Sequence, residues 1–314
     1  MSTAAADERR KTVCVTGGSG YIASGLIKFL LEKGYAVNTT VRNPDDEKKT
    51  SHLKDLQSLG PLKIFRADLN EEGSFDEAIT GCVFVFLVAA PVVVDSENLE
   101  EDITETNVRG TLNVMGSCVR ARATVKRVVL TSSVAAVLHD GRTTMQGGDD
   151  EHVVVDESSW SDLDYLATLP NHPSANWAKA YGAGKVRSEK EASRVARENG
   201  ISLVTVLPVI VVGAAPATRG FNSSSLVLSL LAGHEATAEM LKATQDLAGG
   251  TTPLVHLRDV CRAQVFVAEK GEAAAAGGRY LCCGANTTVA RLAGFLAGKF
   301  PQYNVKTDGH IIIA

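Results

Sequence analysis

The chain has 314 residues, of which 45% are hydrophobic and 22% are charged, and its formal net charge is −4 at pH 7. This length and balance are typical of a globular protein with a large buried core. The acidic balance and the 5% share of aromatic residues exclude a basic or base-stacking surface for nucleic acid and a cationic face for an anionic membrane.

The amino-terminal segment and the cysteines bear on where the protein works. Residues 1–10 are small and charged, so we expect a flexible leader and no secretory signal. No apolar stretch reaches membrane-spanning length without a charge, Gly or Pro. The six cysteines lack metal-ligand spacing and most lie in apolar runs, which favours buried thiols in a reducing compartment. The sequence therefore predicts a cytoplasmic protein with no metal site.

From Thr12 onward, β-type and helical patterns alternate along the chain. Period-two or continuous apolar runs predict strands at Thr12–Thr16, Tyr35–Val41, Leu62–Phe65, Val83–Val88, Val125–Thr131 and Leu203–Leu207. Helical spacing predicts helices at Ile22–Glu32, Asp46–Leu59, Leu99–Arg122 and Lys179–Asn199. This alternation is typical of βαβ units and a parallel sheet. We therefore expect an α/β protein with a Rossmann-type doubly wound sheet over residues 11–208.

The rhythm changes after Pro208. Residues 209–253 are rich in Ala, Gly, Ser and Thr and are interpreted as a small lobe against the carboxyl edge of the sheet. Small-molecule sites of open α/β sheets lie at that edge. Residues 209–314 are therefore predicted to form mainly a substrate lobe, with elements that return to the sheet.

The first strand runs into a glycine-rich turn, Thr16-Gly17-Gly18-Ser19-Gly20-Tyr21-Ile22-Ala23. Gly17 permits a tight turn, Gly20 lets the backbone approach a pyrophosphate, and Ala23 allows close packing of helix on strand. The helix start adds free N–H groups and a positive dipole end. Since the motif follows a strand and opens a helix, it predicts a dinucleotide site.

The residue that follows the second strand indicates which dinucleotide binds. A carboxylate there would bind the ribose hydroxyls of NAD, but this chain has Arg42, with Lys48 and Lys49 shortly after. A guanidinium binds a 2′-phosphate with two parallel hydrogen bonds, so NADPH is the predicted cofactor. After the third strand, Asp68-Leu69 are placed to meet an adenine edge, although Asp68 could instead cap a helix.

Tyr181 and Lys185 lie four residues apart on a predicted helix and so share one face. Hydride addition to a carbonyl leaves an alkoxide that needs a proton. A tyrosine can give that proton, and an ammonium one turn away stabilises the phenolate. Thr131-Ser132-Ser133 ends the fifth strand, where a hydroxyl could hydrogen-bond the substrate oxygen. These residues together predict a reductase.

These motifs resemble those of the extended short-chain dehydrogenase/reductases, in the branch of plant dihydroflavonol and anthocyanidin reductases. The resemblance runs from about Lys11 to Asp308 and is carried by the segments KGYAVNTTVR (Lys33–Arg42), LKIFRADL (Leu62–Leu69), EGSFDEAI (Glu72–Ile79) and GRYLCC (Gly278–Cys283). It implies NADPH-dependent reduction of a flavonoid, with an anthocyanidin as the favoured substrate. The alternatives are a dihydroflavonol 4-reductase-like carbonyl reductase and a weakly active NADP-binding pseudoenzyme.

The resemblance also implies the site residues. The implied catalytic group is Ser133, Tyr181 and Lys185, and the second serine is the one that aligns. The implied cofactor contacts are Gly17, Gly20, Tyr21, Ile22, Arg42, Lys49, Asp68, Leu69, Val88, Ala89, Ala90, Tyr181, Lys185 and Pro208. The expected partner is a small phenolic molecule, with no nucleic acid or membrane, and the expected state is a monomer or weak homo-oligomer.

The chain departs from the family pattern at several positions. Leu87 replaces a usual histidine, Gly184 replaces the serine before the catalytic lysine, and Trp177–Tyr181 is two residues longer than usual. The family pattern continues past Ala314, so a truncated carboxyl terminus is expected. His256 is expected to anchor the lobe to the sheet, while Trp160 and Trp177 are expected to pack in the lobe.

Overall fold

A computed structural model describes residues 10–91, 98–138, 155–169, 173–217, 220–270, 278–303 and 305. Residues 1–9 of the predicted leader and residues 306–314 lie outside the described residues. The strands are β1 (Thr12–Val15), β2 (Ala36–Val41), β3 (Leu62–Arg66), β4 (Phe84–Leu87), β5 (Arg127–Thr131), β6 (Leu203–Pro208), β7 (Ile210–Val212), β8 (Thr252–His256), β9 (Arg279–Cys282) and β10 (Ala285–Thr287).

The α-helices alternate with these strands through most of the chain. They are α1 (Tyr21–Glu32), α2 (Glu47–Leu56), α3 (Asp76–Ile79), α4 (Thr106–Arg120), α5 (Leu163–Thr168), α6 (Pro173–Asn199), α7 (Ser223–Ala232), α8 (Glu235–Leu247), α9 (Leu257–Glu269) and α10 (Val289–Lys299). A π-helical segment, Glu100–Glu105, precedes α4, and a short 3₁₀ helix, Val134–Ala136, follows β5.

The main sheet has seven strands in the order β3-β2-β1-β4-β5-β6-β9, and all its neighbours are parallel. The order reverses between β1 and β4, which creates a switch point at the carboxyl edge beside the glycine-rich turn. This doubly wound sheet confirms the predicted Rossmann-type fold. Strand β9 comes from the last part of the chain and pairs with β6, so the carboxyl-terminal segment completes the sheet.

Alternate residues of the central strands pack on opposite faces. Val13, Val15 and Phe86 lie in one core with α1 and α9, while Cys14 and Val85 lie in another with α3 and α4. Both cores are apolar because a central parallel strand is covered by helices on each side. The two helical layers hold the carboxyl ends of the strands in fixed positions at the site.

The smaller lobe has a sheet and a core of its own. Strands β10, β8 and β7 form a three-stranded sheet. Helices α7, α8 and α10 supply apolar side chains to one cluster with this sheet, including Val227, Leu241 and Leu292. We call this unit, formed by β7, β8, β10, α7, α8 and α10, the C-terminal lobe. All its elements follow Pro208, whereas helix α9 and strand β9 of the same region pack on the main sheet and extend it, respectively.

Two predicted features differ in the structure. Helix α6 begins at Pro173, six residues before the predicted start at Lys179, because proline is well suited to a first helical turn and no breaker follows it. Tyr181 therefore lies in the interior of the helix, and the longer Trp177–Tyr181 stretch does not bring the helix start to it. Trp177 belongs to α6 and stacks on Tyr181, and Trp160 packs against Lys190 of α6 and Arg279 of β9. Neither lies in the lobe, so their predicted place there was wrong.

The described helices carry a further finding about membranes. None of them combines the length and the apolar character that a membrane crossing requires.

Cys14, Cys82, Cys118 and Cys261 are buried as predicted, whereas Cys283 is exposed. Burial raises the pKa of the Cys14 thiol well above its usual range, so this group stays a neutral part of the core.

Candidate active site

The glycine-rich turn joins β1 to α1 with the geometry that an anion site needs. Gly17 has a φ of 76°, which favours glycine, and its carbonyl accepts a 2.8 Å hydrogen bond from the Gly20 amide. Gly20 is the N-cap of α1 and its position carries no side-chain cap. The first-turn amides of α1, starting at Tyr21, therefore remain available to an anion.

Two buried threonine hydroxyls brace the turn. Thr16 Oγ1 accepts the amides of Val88 and Ala89 at 3.0 Å, and Thr40 Oγ1 accepts the Gly17 amide at 3.2 Å. These bonds hold the ends of β1, β2 and β4 together. The expected cofactor contacts Val88 and Ala89 thus lie directly beside the glycine-rich turn, and Ala90 follows them half-buried.

Sequence reasoning missed two residues that shape this turn. A Cβ on Gly18 would lie 2.3 Å from Thr39 Oγ1, so no larger residue fits against β2 there. His52 on α2 lies with Nε2 3.1 Å from the Gly18 carbonyl oxygen, and it donates because a carbonyl only accepts. The doubled glycine was a usable signal for Gly18, whereas nothing in the sequence pointed to His52.

Arg42 follows β2 at the carboxyl edge of the sheet and is exposed. Within the described ranges it has no ion-pair partner, and its guanidinium is free to meet a phosphate. Lys49 on α2 lies 3.7 Å from Asp46 Oδ2 and is also exposed. Both cations lie beyond the turn on the side of β2, where the adenosine ribose of a dinucleotide extends.

Asp68 follows β3 and shapes a tight turn. Its Oδ1 accepts the Asn70 amide at 2.9 Å, and its backbone carbonyl accepts the Ser74 hydroxyl at 2.9 Å. Leu69 packs so closely on α4 that a Cβ on Gly110 would lie 2.8 Å from it. The carboxylate therefore has a turn-forming role in the free protein, and a contact between Asp68 and adenine stays a prediction.

Tyr181 and Lys185 are brought together on α6. The Lys185 Nζ lies 5.6 Å from the centroid of the Tyr181 ring, and Lys185 is only 7% exposed. Trp177, one turn earlier on α6, stacks on the Tyr181 ring. The two ring centroids lie 4.7 Å apart and the ring planes make an angle of 11°. Trp177 was not predicted to take part in the site, and its stacking fixes the tyrosine ring.

The two serines after β5 have different environments. Ser132 is buried and donates a 2.8 Å hydrogen bond to Glu189 Oε2, while Glu189 Oε1 binds Arg279. Ser133 is half-buried, and its oxygen accepts the Ala135 amide at 3.2 Å. Within the described part of the chain the Ser133 hydroxyl donates to no partner, so its proton is available for a substrate oxygen. This arrangement supports Ser133, and not Ser132, as the substrate-facing hydroxyl.

A small cavity of about 10 Å³ lies between α6, α4 and the end of β5. A cavity of about 10–15 Å³ holds roughly one water molecule. Its polar lining comes from Asn107, Thr111, Thr131, Ser132, Lys185, Ser188 and Glu189. Lys185 therefore lines a compartment that is largely polar.

The departures from the family pattern fit the packing. A Cβ on Gly184 would lie 3.3 Å from Thr104 Cα, so glycine lets α6 approach the π-helical segment closely. Leu87 ends β4 and is buried in the apolar core, where a histidine would lose its hydration.

The remaining predicted residues lie where the lobe meets the sheet. Pro208 ends β6 opposite Cys282 of β9. His256 caps α9, since its Nδ1 accepts the Arg258 amide at 3.1 Å, and its ring touches Gly213 after β7. His256 thus links the lobe to α9, in agreement with its predicted anchoring role.

Comparisons with known proteins match this geometry. Residues 14–165 match the 3-beta hydroxysteroid dehydrogenase/isomerase family, and residues 162–283 match the NAD dependent epimerase/dehydratase family. An anthocyanidin reductase of Vitis vinifera is 49% identical over 95% of this chain and 84% of its own length.

The chain belongs to the extended short-chain dehydrogenase/reductase family.

Further relatives place it among the plant flavonoid reductases of that family. An Arabidopsis thaliana anthocyanidin reductase is 42% identical over 95% of this chain and 83% of its own length. A Gerbera hybrida dihydroflavonol 4-reductase is 38% identical over 94% of this chain and 74% of its own length.

Solved structures of other reductases share the fold. Vestitone reductase from alfalfa is 33% identical with a TM-score of 0.73, covering 94% of this chain and 84% of that chain. The Candida albicans reductase Gre2 in complex with NADPH is 26% identical with a TM-score of 0.74, covering 93% and 83%. As an extended short-chain reductase, the protein is an NADP-dependent oxidoreductase.

The residues of this site fit NADPH. The uncapped start of α1 suits the pyrophosphate, and a Cβ at Gly17 would meet the Cα of Ala89 at 3.0 Å, so the turn is closely packed underneath. Arg42 is exposed and available where the 2′-phosphate belongs. Lys185 is buried beside Tyr181, where the nicotinamide ribose is expected.

Proposed function

We propose that the protein is an anthocyanidin reductase that converts an anthocyanidin to a flavan-3-ol with NADPH. The observation that carries the proposal is the match to anthocyanidin reductases at 42 to 49% identity along about 95% of the chain. The dihydroflavonol 4-reductases match at the lower values of 38 and 39%. Tyr181, Lys185 and Ser133 are all present on the elements where a reductase needs them.

The described residues divide the work of the reaction. NADPH, when bound, supplies the hydride. The start of α1 and Arg42 would bind and orient its phosphates, and the Ser133 hydroxyl would donate a hydrogen bond to an oxygen substituent of the flavonoid. Tyr181 donates the proton, and the ammonium of Lys185 stabilises the phenolate that remains. The stacked Trp177 ring holds Tyr181 in place for this transfer.

The proposed conversion has a distinctive balance of electrons. A flavylium cation becomes a neutral flavan-3-ol by gaining two hydrides and one proton, so each product molecule consumes two NADPH. A dihydroflavonol becomes a leucoanthocyanidin by gaining one hydride and one proton at its carbonyl group. The ratio of NADPH consumed to product formed therefore separates the proposed function from its runner-up.

We also propose that the protein works in the cytoplasm as a monomer or weak homo-oligomer. The support is that Cys14, Cys82, Cys118 and Cys261 are free, buried thiols, as expected in a reducing compartment, and that none of the described helices could cross a membrane. Size-exclusion chromatography with light scattering at two concentrations tests the assembly state.

The test of the function is NADPH consumption with a purified chain. Cyanidin should be reduced with two NADPH per flavan-3-ol, and Tyr181→Phe should lower kcat by about 10²–10⁴-fold, the usual contribution of a general acid. Tyr165→Phe, which removes a phenol from α5 at a half-buried position, is the matched control and should keep wild-type kcat.

Three outcomes would contradict the proposal. Turnover of dihydroflavonol alone, with one NADPH per product, would assign the runner-up activity. NADPH binding without turnover of either substrate would indicate a pseudoenzyme. Full activity in Tyr181→Phe would remove this tyrosine from the mechanism.

A further inference from the structure

The side chain of Tyr21 joins the glycine-rich turn to the C-terminal lobe. Its hydroxyl donates a 2.6 Å hydrogen bond to the carbonyl of Gly213, and it lies 2.8 Å from Ser224 Oγ. Because the single phenol proton goes to the carbonyl, Ser224 donates to the phenol oxygen. Burial raises the pKa of the Tyr21 phenol, so the hydroxyl stays protonated at neutral pH.

A second bond from the same helix face holds the same loop. Ser24 Oγ accepts the Ala217 amide at 3.1 Å and donates to the Tyr21 carbonyl at 3.0 Å. The other side of this loop packs on the His256 ring. Gly213 has a φ of 119°, and a Cβ placed on it would lie 2.6 Å from His256 Nε2. The loop after β7 is therefore clamped between the start of α1 and the start of α9.

The far end of the link lies in the lobe. Ser224 lies in the first turn of α7. The preceding residue, Ser223, donates a 2.7 Å hydrogen bond to the Val211 carbonyl of β7. Helix α7 contributes Val227 to the lobe core, together with Leu241 of α8. A displacement at Ser224 therefore moves packed elements of the lobe, because cores transmit small shifts.

The near end of the link is the predicted pyrophosphate position. Tyr21 is the first residue of α1, so its amide is one of the uncapped donors while its phenol reaches the lobe. Both groups belong to one residue and cannot move independently. We propose that Tyr21 is a positioning residue that couples dinucleotide binding at the glycine-rich turn to the position of the lobe that covers the flavonoid.

This inference rests on the proposed NADPH site, and hydrogen exchange tests it without turnover. Exchange of residues 210–217 and 223–232 is measured with and without NADPH, at ten times each variant's own Kd. In the wild type, NADPH should slow exchange of these segments. Tyr21→Phe removes only the hydroxyl and should reduce that NADPH-induced slowing by about threefold to tenfold, as expected for one hydrogen bond.

Ser224→Ala tests the same link from the lobe and serves if Tyr21→Phe lowers the melting temperature. Since the two hydroxyls act as one unit, the double variant should show no larger loss than either single variant. Ser223→Ala is the matched control, because its bond lies within the lobe, and it should keep the wild-type NADPH response. The flavonoid KM should rise in Tyr21→Phe and Ser224→Ala by more than kcat falls.

The coupling is refuted if NADPH slows lobe exchange equally in the wild type and Tyr21→Phe. It is also refuted if NADPH binds the wild type without any change in the lobe, even where anthocyanidin turnover is normal. A wild type that does not bind NADPH would refute both this inference and the proposed function, whereas normal exchange coupling without turnover would refute the function alone.

Discussion

Cofactor choice depends on single side chains at the carboxyl edge of the sheet, and Arg42 is the most direct case. It is exposed and within the described ranges it forms no ion pair. A carboxylate in its place would repel a 2′-phosphate and accept hydrogen bonds from ribose hydroxyls.

Arg42→Asp should therefore weaken NADPH binding and favour NADH. The loss should be about tenfold or more in NADPH affinity, since hydrogen bonds between charged groups are stronger than neutral ones. Titrations of both cofactors by fluorescence would measure it. Arg122→Asp makes the same charge change at an exposed position after α4, towards the opposite edge of the sheet, and should leave the preference unaltered. An unchanged preference in Arg42→Asp would contradict the assignment.

At the scale of elements, buried polar links hold helices to the sheet. Arg127 begins β5 and is only 5% exposed. Its Nη1 donates to the carbonyls of Val267 at 2.7 Å and Lys270, and its Nε donates to Ser202 at 3.0 Å. These carbonyls end α9, where helix carbonyls lack partners and a cation is favoured.

Arg127→Met keeps the apolar stem of the side chain but removes the donors. The buried carbonyls would then be unsatisfied, so the free energy of unfolding should fall by about 2–4 kcal/mol. Urea denaturation would measure this fall. Arg122→Met, an exposed counterpart, should change it by no more than about 0.5 kcal/mol. If the free energy of unfolding of Arg127→Met also fell by no more than about 0.5 kcal/mol, water would be replacing the guanidinium at the end of α9.

A second link joins α3 to α4 and responds to pH. Arg120 donates to the Asp76 carboxylate through Nε at 2.9 Å and Nη2 at 2.7 Å, and these bonds lower the pKa of Asp76. A carboxyl group whose pKa is lower in the folded state stabilises the fold above its unfolded pKa, which is about 4. That stabilisation is lost as the pH falls through the folded pKa.

Asp76→Asn should therefore lower the melting temperature at pH 7, and the gap to the wild type should close as the pH drops below about 4. The side chains are 44% and 43% exposed, so the effect at pH 7 should stay below about 1 kcal/mol. Scanning calorimetry across pH would measure it. Glu77→Gln, at the next and exposed position, should show no such pH-dependent gap. A gap that persists at low pH would contradict the ion-pair explanation.

At the scale of the whole molecule, the nucleotide-binding sheet depends on the end of the chain. Strand β9 pairs with β6 along Thr205–Pro208. Helix α9 covers one face of the sheet with buried side chains, among them Val260 and Val265, that contact the same core as Val129 and Val204. The predicted residues of the phosphate turn all precede Pro208, but helix α9 and strand β9, which support the sheet beneath them, follow it.

A fragment of residues 1–208 should therefore fail to fold, although it contains every predicted cofactor residue. Losing α9 exposes several valine- or leucine-sized side chains at about 1.5–3 kcal/mol each, against a total stability of about 5–15 kcal/mol. Circular dichroism melting and NADPH titration, with the full chain as control, would test this. A fragment that melts cooperatively near the full-chain temperature and binds NADPH would show that the sheet folds without α9 and β9.

Local patterns in the sequence were sufficient for the order of the first six strands, and they pointed to the phosphate turn, Arg42 and the Tyr181–Lys185 pair. Each of these depends on residues close together in the chain: a period of two or of 3.6, a Gly-rich turn between a strand and a helix, or one helix face. The start of α6 at Pro173 was missed because the first turn of a helix carries little periodicity.

Only the tertiary structure showed which distant residues meet. The bonds of His52 to Gly18, of Tyr21 to Gly213 and of Arg127 to the end of α9 join positions 34, 192 and 140 residues apart in the chain. No local period encodes such pairs, because they depend on how helices pack across the finished sheet. The sequence by itself thus determined the fold class and the cofactor-binding motif, while packing decided how the phosphate turn is braced and how it is joined to the lobe.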